Sequence, residues 1–68
     1  MNAVIRVNGQ DESISAATVA ELLAARGIVK AKGVAVALNG AVVPASAWPS
    51  TALAAGDKIE IVKPFGGG

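Results

Sequence analysis

A chain of 68 residues makes one small domain, and a domain this size buries only about 60% of the surface its unfolded form exposes. It contains no cysteine and no histidine, which excludes disulfides, thiolate metal sites, a cysteine nucleophile and the commonest general base. A net charge of +1, with one Trp, one Phe and no Tyr, excludes a nucleic-acid face built from a basic stripe or stacking aromatics. No apolar run approaches the roughly 18 residues of a membrane span, and no secretory signal order is present, so a cytoplasmic location is expected.

Ala3-Val4-Ile5-Arg6-Val7 is an apolar run that predicts a buried strand. Asn8-Gly9 follows, a strong signal for a tight hairpin because both residues tolerate positive φ. Glu12-Ser13-Ile14-Ser15 alternates and predicts the return strand, at an edge where polarity discourages aggregation. Thr18-x-x-Glu21 then fits a capping box opening a helix. Val19, Leu22 and Leu23 form one apolar stripe on it. Arg26 falls in the last turn, where a cation suits the helix dipole, and Gly27 stops the helix, with Ile28 placed to make the hydrophobic contact that often follows. At about nine residues this helix cannot persist alone in water and must dock on a sheet.

Lys30 and Lys32 belong to a solvated connector. Val34-Ala35-Val36-Ala37-Leu38 is apolar throughout, as an interior strand requires. Asn39-Gly40 is a second hairpin signal, and Ala41-Val42-Val43 the strand after it, ended by Pro44. Ala45 to Trp48 predicts a single helical turn before Pro49, with Trp48 a lid on the core. Ala54-Ala55-Gly56-Asp57 is a turn. Lys58-Ile59-Glu60-Ile61-Val62 alternates with Ile59 and Ile61 on one face.

The element order predicts an α+β fold, a mixed sheet of four to five strands with one helix packed on one face. Its core should hold Ile5, Val7, Val19, Leu22, Leu23, Val36, Leu38, Leu53, Ile59 and Ile61. The opposite face should carry Val4, Arg6, Ala35, Ala37, Lys58 and Glu60 and has no helix to cover it; it is either a docking surface or simply wet. Residues 1–63 are expected to form the domain and residues 64–68 a flexible glycine tail. That tail, Pro64-Phe65-Gly66-Gly67-Gly68, is either a loose end or a narrow peptide for threading into a slot, since glycine has no Cβ to obstruct it. Asp11, Glu12 and Asp57 form no acid/base pair by spacing. The serines and threonines have no histidine to activate them, and the scattered glycines form no phosphate-binding fingerprint. No catalytic or metal-binding residue is expected, and the chain is not expected to be an enzyme. Any chemistry would use its end as a substrate.

The stretch Val34 to Pro44, with its Asn39-Gly40 turn and Val43-Pro44 pair, is followed by Trp48 and by Leu53-x-x-Gly56-Asp57-Lys58-Ile59-Glu60-Ile61-Val62 before the terminal glycines. This run resembles the ThiS family, the sulfur carriers of thiamine biosynthesis, which have a ubiquitin-like β-grasp fold. Ala45 stands where that family commonly has a basic residue, and the tail has three glycines where two suffice. The resemblance implies that an E1-like (ThiF-like) adenylyltransferase uses ATP and magnesium to adenylate the Gly68 carboxylate. Sulfur drawn from cysteine through a desulfurase or relay would convert it to a thiocarboxylate for a ThiG-like thiazole synthase. Gly66 and Gly67 would thread the partner channels, and Phe65 with Val4, Arg6, Lys58 and Glu60 would dock. No cofactor is expected to be bound by the chain itself. A MoaD-like carrier for molybdopterin synthesis, or a β-grasp binding or modifier module that carries no sulfur, are the alternatives.

Overall fold

The last strand in sequence is the middle strand in space. A computed structural model describes residues 3–63, and in it five strands form one sheet in the order β2-β1-β5-β3-β4. The strands are β1 (Ala3–Val7), β2 (Gln10–Ile14), β3 (Ala35–Leu38), β4 (Ala41–Val42) and β5 (Lys58–Val62), with helix α1 (Val19–Ala25) between β2 and β3 and a 3-10 helix (Ala45–Ser50) between β4 and β5. β1 pairs antiparallel with β2 and parallel with β5. β3 pairs antiparallel with both β4 and β5. The sheet is therefore mixed, as the element order predicts.

The two Asn-Gly pairs set both hairpins. Asn8 and Asn39 have φ of 50° and 51°, and Gly9 and Gly40 have 84° and 86°. Positive φ at both central residues is the mark of a type I′ turn, whose twist matches that of the strands it joins. A two-residue loop places Gln10 opposite Val7 and Ala41 opposite Leu38. This is why β2 begins at Gln10, two residues earlier than its alternating pattern suggests. β4 is shorter than expected, although the Val43 amide still donates to the Val36 carbonyl at 2.8 Å.

Alternation along the strands turns Ile5, Val7, Val36, Ile59 and Ile61 toward the helix, where they meet its stripe of Val19, Leu22 and Leu23. Ile14 and Trp48 complete the buried cluster, while Leu38 and Leu53 are only partly buried against it. Trp48 is 8% exposed, and its indole Nε1–H donates to the Val43 carbonyl at 2.9 Å, which satisfies its polar atom and fixes it as a lid on the core. The 3-10 helix that carries it runs on through Pro49 to Ser50.

Both ends of α1 are tied to other elements. The Glu21 amide donates to Thr18 Oγ1 at 3.2 Å, but the Glu21 carboxylate accepts from the Ala17 amide at 2.8 Å, one residue earlier than a simple capping box would have it. Thr18 is held by a bridge to Ala52, and the Val19 amide donates to the Thr51 carbonyl at 3.0 Å. The loop after the 3-10 helix is thus pinned to the helix start. At the other end Gly27 has φ of 82°, and the amides of Gly27 and Ile28 donate to the carbonyls of Ala24 and Leu23. These are the two bonds of a Schellman stop, with Ile28 packed on the core as its hydrophobic contact. Arg26 is the cap residue, and its guanidinium turns to β2, donating to both Glu12 oxygens at 3.0 and 3.1 Å.

Ile59 is 1% exposed and central to both sheet and core. Truncating a buried isoleucine costs about 2–5 kcal/mol, against a stability of about 0.05–0.15 kcal/mol per residue. Ile59→Ala should therefore populate the unfolded state at room temperature, seen as a lost or strongly lowered urea midpoint by circular dichroism. A midpoint equal to the native one would show that β5 is not the centre of the core.

Candidate functional site: the open sheet face and the end of β5

Strand register arranges the uncovered face in rows. Asp11, Arg6 and Lys58 are neighbours across β2, β1 and β5. The next row holds Glu60, Ala37 and Val42, and the row beyond it Val62 beside Ala35. The face is charged at the start of β5 and apolar at its finish, where the chain leaves the sheet. Val42 and Val62 are 80% and 62% exposed. A shallow depression lined by Arg6, Asn8, Gly9, Lys58, Glu60 and Val62 runs down the β1–β5 seam.

Four of the expected docking residues, Val4, Arg6, Lys58 and Glu60, lie on this one face. Val4 is two strand residues before Arg6, and Val62 is four after Lys58, so roughly 20 Å separates them at about 3.3 Å per residue. Val4 stands at the far end from the chain's exit. Arg6 is not a free cation, because its Nε donates to Asp11 Oδ1 at 3.2 Å. Both partners are exposed, so the pair adds little stability, but it orients the guanidinium. Phe65, Gly66, Gly67 and Gly68 lie outside the described residues. Val62 and Val42 were not among the expected docking residues. Alternation along the strand already puts Val62 on the face of Lys58 and Glu60, whereas Val42 needs the β3–β4 register.

Asp57 serves the turn before β5. Its Oδ2 accepts from the Ala54 amide at 2.8 Å and its Oδ1 from Asn39 Nδ2 at 3.1 Å. Glu12 is engaged by Arg26 and Glu21 by the helix start. Among the described residues no group of three His, Cys, Asp or Glu side chains comes together, and no helix is long and apolar enough to cross a membrane.

A five-stranded mixed sheet with a hairpin at each side, the final strand in the middle and one helix across a face is the ubiquitin-like β-grasp fold. The model of the ThiS family matches residues 4–68. A crystal structure of the thiamine biosynthesis protein ThiS from Geobacter metallireducens is 37% identical, with a TM-score of 0.76, covering 100% of both chains. A solution NMR structure of a thiamine biosynthesis protein from the same organism gives the same identity and TM-score over 100% of this chain and 88% of the other. No curated protein matches the chain. The chain belongs to the ThiS family, the sulfur carriers of thiamine biosynthesis. Members of this family are carriers and not enzymes.

The exposed face should be separable from the core. Val62→Thr keeps the β-branched shape that suits a strand and should shift the unfolding free energy by under about 1 kcal/mol, as surface changes do. The neighbouring Ile61→Thr, on the buried face, should cost clearly more in the same urea titration. Equal costs would mean that Val62 packs against the interior.

Proposed function

We propose that the chain carries sulfur as a thiocarboxylate on Gly68, for thiazole formation in thiamine biosynthesis. One observation supports this above the others: the family match runs through the three glycines, which are separated from the end of the central strand by three residues. In this reading residues 1–63 are a rigid holder and residues 64–68 a flexible tail.

The chemistry needs nothing from the holder except placement. A terminal carboxyl, with a reference pKa of about 3.3–3.7, is ionised at neutral pH. Its oxygen attacks the α-phosphorus of ATP in the active site of an E1-like adenylyltransferase, and pyrophosphate with its magnesium leaves. The product is an acyl-adenylate, a mixed anhydride. The terminal sulfur of a persulfide on a cysteine desulfurase or a relay attacks the carbonyl carbon and expels AMP, and a thiol then cleaves the resulting acyl disulfide, so that the thiocarboxylate leaves and a disulfide forms on the donor. The thiocarboxylate then passes to a thiazole synthase. ATP and magnesium belong to the activating enzyme, and the cytoplasm supplies both.

Gly66 and Gly67 thread the partner channels because a Cβ there would meet the channel wall. Ordering each tail residue costs roughly 1–2 kcal/mol, so the folded part must contribute docking energy. Phe65 and the open face, with Arg6, Lys58 and Glu60, supply it, and the register adds Val62, Ala37 and Val42 at the end nearest the tail. Val4 is the most distant contributor. The balanced charges of Arg6, Asp11, Lys58 and Glu60 select orientation more than affinity.

Incubation with the activating enzyme, MgATP and a sulfur source, followed by a thiol-directed alkylating agent, tests the assignment directly. The chain has no cysteine, so a fast-reacting adduct located at the C-terminus reports a thiocarboxylate. Gly67→Ala should slow adenylation, measured as pyrophosphate exchange, while leaving the urea midpoint unchanged, and removal of Gly67 and Gly68 should abolish it. Normal exchange in Gly67→Ala would refute the threading role. An unreactive native chain would refute the carrier itself.

A further inference from the structure

The two hairpin asparagines do more than turn the chain. Asn39, at the start of β5, donates its backbone N–H to the Lys58 carbonyl at 2.7 Å and accepts the Lys58 amide on its side-chain Oδ1 at 2.9 Å. Asn8 acts at the other end of the same strand. Backbone pairing of β1 with β5 finishes when the Asn8 amide donates to the Ile59 carbonyl at 3.0 Å, because the chain then turns away into Gly9. Ile61 would be left with an amide and a carbonyl facing no strand. The Asn8 side chain fills that place: its Oδ1 accepts from the Ile61 amide at 2.7 Å, and its Nδ2 donates to the Ile61 carbonyl at 3.2 Å. A carboxamide is a peptide group in miniature, and it extends the ladder by one full step without any further backbone. On its other side Ile61 is opposite Val36 of β3.

We propose that Asn8 is a positioning residue, whose carboxamide fixes the last point at which β5 is gripped from both sides; beyond it, among the described residues, Val62 is held only by Ala35 of β3, so the grip limits how far β5 frays from the end that leads to the reactive tail. This rests on the carrier reading above. A tail that starts one or two residues earlier has more conformations to lose on entering a partner channel, and each residue ordered costs a factor of about ten in affinity. Asn8 touches no reacting atom. It acts through β5, by limiting how much of the chain is free.

Asn39 is the matched control. It has the same residue type, turn and φ, and it also bonds β5 through its side chain, but at the end away from the tail. Asn8→Gly and Asn39→Gly both keep the positive φ and should lower the urea midpoint. Only Asn8→Gly should accelerate amide exchange of Ile61 about tenfold beyond the change in global stability, by loss of its acceptor. In pyrophosphate exchange with the activating enzyme, Asn8→Gly should raise the KM for the carrier roughly tenfold with kcat little changed, whereas Asn39→Gly should stay within about twofold of native. Asn8→Asp retains the Oδ1 acceptor and loses the Nδ2 donor, so it should fall between native and Gly, and it decides the matter if Asn8→Gly fails to fold. Equal KM values for the Asn8 and Asn39 variants, or Ile61 protection that merely tracks global stability, would overturn the proposal. If the native chain is not adenylated, the carrier reading fails, and the Ile61 exchange still decides whether the grip exists.

Discussion

The structure depends on inserting β5 between β1 and β3. A central strand must be satisfied along both edges and buried on a face, and β5 meets each demand with a different set of residues. β1 supplies a parallel ladder on one side and β3 an antiparallel one on the other. Ile59 and Ile61 fill the core beneath. The hairpin asparagines close the two gaps that the neighbouring strands leave as they turn. The hydrogen bonds hold the strand along both edges, but burial fixes its register, because a slip of one residue would exchange Ile59 and Ile61 for Lys58 and Glu60 on the core face.

Much of this was legible in the chain itself. The strand and helix order, both type I′ turns, the helix stop at Gly27 and the buried stripe all follow from local patterns with strong physical causes. The differences lie where a neighbouring element overrides a segment's own pattern. β2 starts early because the turn dictates its pairing, whatever its own polarity. Ile14 is buried because it sits under the helix, which a short alternating run cannot reveal. Glu21 accepts from Ala17 at a helix entry that is also bridged to Ala52. The asparagine side chains were hardest to foresee. An Asn-Gly pair is fully explained by its turn, and nothing local signals that its carboxamide will meet a strand 53 residues away.

The candidate site was legible in a different way. Cysteine and histidine are absent, and four of the five acidic residues have structural partners: Asp11 with Arg6, Glu12 with Arg26, Glu21 with the helix start and Asp57 with its turn. What remains is a face graded from charged to apolar toward the end of β5. The gradient itself required the register, since Ala35, Ala37 and Val42 join Val62 only once β3 and β4 are laid beside it.

The parallel pairing of β1 with β5 has a kinetic consequence. Contacts between Asn8 and Ile61 close a loop of nearly the whole domain, and such non-local pairings slow folding because chain entropy is lost before they form. During synthesis the β1–β2 hairpin can assemble early, yet its inner edge stays open until β5 has emerged. The sheet is thus closed by its last strand, and both of its halves carry an unpaired inner edge until β5 enters between them.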